Sequence, residues 1–253
     1  MNLLHAILDK RLKARVISRS TADLRAVCRD TPPARDFFGA LSCTNLPAVI
    51  AEIKFRSPSA GILRADHDVE FVAHSYEKNG AAALSVLTEK GSFCGDLSYI
   101  DRAKSAAALP VLRKDFLWDE YDILESRAAG ADAVLIIAKL LSEGQIENLC
   151  GLASEVGLSV LLELHDESDL VKSDKVTNVI LGVNHRDLDT LEINLDLSAR
   201  LFPLMNGIKV AESGLRSRED LLLMRSRGAD AVLIGTSFMC HSDPGAALAR
   251  CLK

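Results

Sequence analysis

Three glutamates and two lysines interrupt runs that are otherwise apolar. They are Glu52 and Lys54 in VIAEIKFRSPSAG (residues 49–61), Lys114 in LPVLRKDF, Glu163 in LSVLLELH and Glu212 in IKVAESG. In extended chain alternate residues share a face, so Ile50, Glu52 and Lys54 point one way while Val49, Ala51 and Ile53 point the other. A single buried charge is normally a paired structural group, because an unpaired one costs several kcal/mol. Five such groups around one rim are different: their mutual interactions push pKa values apart and supply an acid and a base near neutral pH. Asn184 and Arg186 in VILGVNHRDL add an amide and a guanidinium at the end of another apolar run. Past the last two runs, ESGLRS (212–217) and LIGTSFM (233–239) place Ser213, Gly214, Gly235 and Thr236. Read blandly, the two glycines are turn residues. Read functionally, backbone N–H groups there join a short helix N-terminus to cradle a phosphate, which implies a phosphorylated substrate.

These groups need a frame that brings distant segments together. A recurring phrase organises the chain: NGAAALSVLT (79–88), AGADAVLIIA (129–138) and RGADAVLIGT (227–236), each a helix-ending glycine, a turn and an apolar strand. Further strands are expected at 48–55, 109–115, 158–164, 178–184 and 207–213, making eight. The gaps carry helical periodicity in DEYDILESRAA (119–129), SEGQIENLCGLASEV (142–156) and SREDLLLMRSR (217–227). Strand then helix, eight times, predicts parallel strands with right-handed crossovers. Their number favours one closed α/β barrel, a (β/α)8 TIM barrel over residues 1–253, above an open sheet, since no G-x-G-x-x-G follows the first strand. In such a barrel the active site lies at the carboxyl ends of the strands, where all five charges fall. Residues 1–46 form an N-terminal helical extension that includes LLHAILDKRLKARV (3–16). It is expected to cover the barrel's lower mouth or side, with a share in substrate closure as the alternative.

Composition narrows the class. A net charge of −5 argues against general nucleic-acid binding, which needs a basic surface to neutralise many phosphates. No apolar run approaches the roughly 18 residues of a membrane span, and the N-terminus lacks a signal-peptide pattern. The cysteines at 28, 43, 94, 150, 240 and 251 form no C-x-x-C pair, so reduced thiols in a cytoplasmic protein are expected, not a disulfide framework. The histidines show no H-E-x-x-H or comparable spacing, and no metal is expected. A monomer is the default, because no interface signature is visible.

Taken together, VIAEIKFRSPSAG, VLRKDF, LLELH, LGVNHRDL, VAESGL and LIGTSFM resemble the indole-3-glycerol phosphate synthase family of tryptophan biosynthesis, in the same order and spacing over residues from about 3 to 250. The resemblance implies a lyase without cofactor. It would convert 1-(2-carboxyphenylamino)-1-deoxyribulose 5-phosphate into indole-3-glycerol phosphate, carbon dioxide and water. By the same correspondence Lys114 is the general acid at the ribulose carbonyl, and Glu163 assists proton transfer in the dehydration. Glu52 is a second acid/base or orienting carboxylate, and Lys54 neutralises substrate anions while holding Glu52 charged. Asn184 and Arg186 position hydroxyl and carboxylate groups, and Glu212 shapes the ring-closing site. Ser57 binds substrate, while Ser213, Gly214, Gly235 and Thr236 fall on the phosphate cradle. Phe93, Phe116, Leu135 and Leu188 match the slot for the anthranilate ring. For Lys114 to act as an acid near pH 7, apolar surroundings and nearby cations would have to lower its pKa against the carboxylates around it.

The chain departs from the family pattern at Ala60, where lysine is usual; at Ser92 and Asp96, where an aromatic residue and serine are usual; and at His185, where asparagine is usual. Losing a cation and gaining Asp96 would weaken attraction for a doubly anionic substrate, which bears on rate and preference more than on reaction type. Cys94 and Trp118 read as an ordinary loop thiol and a helix-entry packing residue. Two other enzymes remain as alternatives: a phosphoribosylanthranilate isomerase and a diverged paralogue for a related aromatic sugar phosphate. The first needs a Cys and Asp pair where this chain has Glu-x-Lys. A noncatalytic barrel is disfavoured by the joint presence of Lys54, Lys114 and Glu163.

Overall fold

The computed structural model describes residues 3–42, 45–187 and 189–253. Among them, eight strands close into a barrel: β1 (Ala48–Ile53), β2 (Ala83–Leu87), β3 (Val111–Lys114), β4 (Ala133–Ile137), β5 (Ser159–Leu164), β6 (Ile180–Asn184), β7 (Lys209–Glu212) and β8 (Ala231–Ile234). Each pairs in parallel with its chain neighbours, and β1 meets β8 to complete the ring. The strands are almost wholly buried on both faces, as Val-, Ile- and Leu-rich segments must be when helices lie outside and side chains fill the inside.

Local chemistry sets where the helices begin. Ser142 and Ser217 accept N–H bonds from Gln145 and Asp220, whose side chains reach back to the serine backbone. These capping boxes start the helices Glu143–Glu155 and Arg218–Ser226, each cap contributing about 1 kcal/mol. The observed strands fall within the expected segments, with one difference. The strand expected over 48–55 stops at Ile53, and the chain folds into a small hairpin pairing Arg56–Ser57 with Gly61–Ile62. The hairpin turns Phe55 inward to stack on His67 at 4.6 Å and meet Tyr99 edge-on at 5.6 Å. Burying that ring outweighs two more residues of strand.

The N-terminal extension is divided between the two ends of the barrel. The helix α2 (Thr21–Asp30) packs along the side, where Arg25 pairs with Glu120 and Glu155. Before α3 (Phe37–Ala40), Arg35 donates to the carbonyls of Lys104, Ala107 and Leu109 and its own N–H bonds Asp132, all on chain entering β3 and β4. These two segments lie along the side of the barrel and against the chain entering its strands. The helix α1 (Leu3–Ala14) differs from the lower-mouth expectation: it lies at the opposite mouth, against the cavity, where the alternative of a share in substrate closure would place it. Arg11 reaches Asp115 at 2.8 Å and Asp122 at 2.7 Å, and Arg15 pairs with Asp119 at 2.8 Å. Asp115 follows Lys114 directly, so α1 is tied to the segment that carries the lysine.

Asp122 is fully buried and Asp115 nearly so, so removing Arg11 strips charge compensation from groups that water cannot reach. Arg11→Ala is expected to lower unfolding free energy by about 3 kcal/mol, measured by urea denaturation at neutral pH. A loss below about 1 kcal/mol would mean that Arg113 and Arg15 suffice. Burial opposes ionisation of Asp115, but Arg113, Arg11, the Thr88 hydroxyl and the Phe116 N–H hold its pKa below the ordinary value. A depressed carboxylate stabilises above its unfolded pKa and loses that contribution as pH falls through the folded one. The difference between the two proteins should therefore narrow in acid.

Candidate active site

The carboxyl ends of the strands open on a cavity of about 480 Å³. Lys114 leaves the end of β3 and places its Nζ 2.9 Å from Glu212 Oε2 on β7 and 3.3 Å from Glu163 Oε2 on β5. On β1, Glu52 is 2% exposed and its Oε1 lies 2.5 Å from Lys54 Nζ. The two charges that strand alternation places on one face thus form a direct pair beside a second cluster. Asn184, in register with Glu212, hydrogen-bonds Glu163 and accepts the Arg186 N–H on its Oδ1. Arg186 is in turn held by the Leu191 carbonyl at 3.0 Å.

Three carboxylates crowd two ammonium groups, and their protonation follows from that imbalance. Burial opposes charge on Lys114, yet Glu212, Glu163 and Glu52 together raise its pKa well above the ordinary lysine value. The carboxylates therefore win the competition weighed in the sequence, and the unliganded lysine is fully charged. Burial, helped by the charges on Glu163 and Glu52 and resisted by Lys114, pushes Glu212 up to about 7. Glu163 goes the other way: burial resists, but Lys114, His165 and Asn184 hold it below the usual carboxylate range. Carboxyl groups in one cavity that differ in this way can divide donor and acceptor roles.

Across the cavity lie Ser213 and Gly214, with φ of +68° and +82°, followed by Gly235 at the start of the helix Thr236–Met239. A side chain at 214 would be strained by that backbone and would meet Ile193 Cγ2 at 2.6 Å. The Phe238 and Met239 N–H groups both go to the Gly235 carbonyl, and the Thr236 and Ser237 N–H groups before them have no carbonyl within so short a helix to bond. His185 backs this turn, its Nδ1 3.3 Å from the Ser213 carbonyl. Phe93 and Phe116, with ring centroids 6.2 Å apart, form an apolar wall with Leu135. Ser57 lines the cavity from the hairpin after β1, where its Oγ accepts the Ala60 N–H.

Every residue singled out from the sequence for this site lines the cavity except Leu188, which lies outside the described residues. Among the described residues, none of Ala60, Ser92, Asp96 and His185 forms part of its wall. Asp96 is tied to Lys90 at 3.0 Å and to Ser98, which offsets its charge locally. Cys94 is likewise off the wall, and the Trp118 N–H bonds Asp122, in keeping with a helix-entry role. No group of three or more His, Cys, Asp or Glu among the described residues is arranged to hold a metal. Sequence reasoning missed Leu3, Leu4 and Ile7, which bring α1 to the cavity, and Gly182, whose missing side chain makes room for Glu212. A lone glycine inside an apolar strand was the available signal for the latter.

The family model described as indole-3-glycerol phosphate synthase matches residues 4–251. The chain belongs to the indole-3-glycerol phosphate synthase family. The indole-3-glycerol phosphate synthase of Neisseria gonorrhoeae (strain NCCP11945) is 43% identical over 254 residues, covering 99% of this chain and 98% of that one. The synthase of Azoarcus sp. (strain BH72) is 42% identical over 250 residues, covering 96% and 95%. Among solved structures, the N-acetylmannosamine-6-phosphate 2-epimerase from Clostridium perfringens aligns with a TM-score of 0.63 at 11% identity over 80% of this chain and 90% of that one. A mutant tryptophan synthase alpha-subunit from Pyrococcus furiosus aligns at 0.62 and 13% identity, over 81% and 97%. Identities this low carry the barrel fold and nothing more. Membership in the synthase family rests on the sequence relatives.

Proposed function

We propose that the chain is an indole-3-glycerol phosphate synthase in which Lys114, Glu163 and Glu52 carry the proton transfers. The observation that carries this reading is the Lys114 ammonium, held between Glu163 and Glu212 in a cavity that also presents an aromatic wall and an anion-binding rim. The substrate has matching parts: an anthranilate ring for Phe93, Phe116 and Leu135, and a phosphate for Ser213, Gly214, Gly235 and Thr236. Between them lies the ribulose carbonyl, facing Lys114.

As the ring carbon attacks that carbonyl its oxygen gains the basicity of an alkoxide, so Lys114 donates a proton to it even though the surrounding carboxylates raise the lysine pKa instead of lowering it. Loss of carbon dioxide restores aromaticity, and departure of the hydroxyl as water completes the indole. Glu163, the depressed carboxylate, takes the proton that the dehydration releases and returns it to the departing hydroxyl, which leaves as water, with Asn184 fixing its orientation. Glu52 serves as a second acid/base or orienting group. Lys54 pairs with it and, with Arg186, meets the substrate carboxylate. Glu212, half protonated near neutrality, relieves the excess of negative charge and shapes the ring-closing space.

The isomerase alternative is disfavoured by the site, because Glu52 and Lys54 occupy the end of the first strand. All five described cysteines are free thiols, which fits a reducing cytoplasm. No helix among the described residues is long and apolar enough to cross a membrane.

The test supplies 1-(2-carboxyphenylamino)-1-deoxyribulose 5-phosphate to the purified protein and follows indole fluorescence. Product should accumulate without added metal or cofactor. Absence of product at every pH tried would reject the reading.

A further inference from the structure

We infer that His165 is a positioning residue for Glu163, its imidazole lying between Glu163 and Asp169 so that the Glu163 carboxylate has Lys114 on one side and the ring on the other; among the described residues neither ring nitrogen makes a hydrogen bond, so the ring acts by charge and proximity. Lys114 Nζ stands 3.3 Å from one oxygen of that carboxylate, and His165 Nε2 stands 3.3 Å from the other. Behind the ring, Asp169 Oδ2 lies 3.8 Å from His165 Nδ1 and also accepts the His165 backbone N–H at 3.0 Å. Asp169 is itself held. Its N–H is capped by Asp166, and Lys172 reaches its other oxygen at 3.0 Å while donating to the Ala138 carbonyl. The histidine side chain is 5% exposed and, among the described residues, does not line the cavity. It therefore acts on substrate only through Glu163.

The charges around this row come from every neighbouring element. Lys114 faces Glu163 from β3, with Glu212 on β7 and Glu52 on β1 beyond it. Lys139, in the short turn after β4, acts on His165 from the other side, and Asp169 and Lys172 stand behind it. Burial and Lys139 oppose a proton on the ring. Asp169 and Glu163 outweigh them and raise its pKa above the ordinary histidine value. Protonated, the ring is a second cation on a carboxylate that must remain ionised to accept a proton. A purely structural histidine would fill the same space whatever its charge.

The role assigned to Glu163 in the proposed reaction is presupposed here, so the experiment has one readout that needs no turnover. In the wild-type protein, nitrogen-15 NMR of the imidazole should place the His165 midpoint above that of a free histidine. A midpoint at or below the free value overturns the inference. In His165→Gln, which keeps bulk without charge, the acid limb of kcat should move up by about one pH unit. Turnover below that limb should then fall about tenfold, while KM changes by less than about threefold. An unmoved limb with unchanged kcat also overturns it. If the wild-type protein forms no indole product, the reaction is wrong, and the NMR result still decides the pairing.

Discussion

Lys114→Ala is expected to lower kcat by about a thousandfold while moving KM less than about fivefold. Among the described residues the ammonium is the donor shared by Glu163 and Glu212, and the phosphate rim and aromatic wall are built by other segments. Substrate should therefore still bind, while the oxygen of the attacked carbonyl loses its proton source. Steady-state kinetics with a matched binding measurement separates the two effects. Survival of turnover within about tenfold would remove Lys114 from the acid role. The same substitution has a signature in stability. Without the ammonium, Glu163 keeps His165 at 3.3 Å, but Glu212 loses its ion-pair partner and takes up a proton more readily than in the unfolded chain. Groups whose folded pKa is raised stabilise at low pH and lose that contribution as pH rises through the folded value. The variant should thus be closest to wild-type stability in mild acid and furthest from it in base.

Gly182→Ala should cut kcat about a hundredfold although the residue touches no substrate. Gly182 sits in β6 between Glu163 and Val210 of the flanking strands. A methyl group there would run into Glu212 Oε1 and would meet Leu161 Cδ1 at 3.0 Å. Among the described residues that glutamate oxygen has no hydrogen-bond partner, so nothing anchors it against being pushed. The displaced carboxylate would swing toward the cavity and draw Lys114 with it, because the two are paired at 2.9 Å. Overpacking of this kind also costs about 1–3 kcal/mol of stability. Kinetics beside a thermal melt distinguishes a displaced lysine from a loosened barrel. A kcat within about threefold of wild type would show that Glu212 has room to yield.

The frame of this protein was legible along the chain because it is written in local terms. Apolar runs broken by glycine, capping serines such as Ser142 and Ser217, and the phrase repeated at 79, 129 and 227 each act within about ten residues. The charged rim was legible for a related reason: Glu52, Lys114, Glu163 and Glu212 are conspicuous in strands that are otherwise apolar. Which charge answers which was not. Lys114 meets partners 49 and 98 residues away, and only closure of the ring brings them within 3.3 Å. The same closure settles the protonation that neighbouring residue types leave open, charging the lysine fully and lifting Glu212 to about 7. It also sends α1 to the upper mouth, through ion pairs from Arg11 to Asp115 and Asp122 that no periodicity announces. Secondary structure follows from short-range sterics and solvation, which a sequence carries residue by residue. Electrostatic coupling depends on distance through space and on burial, and those quantities exist only once the chain has folded.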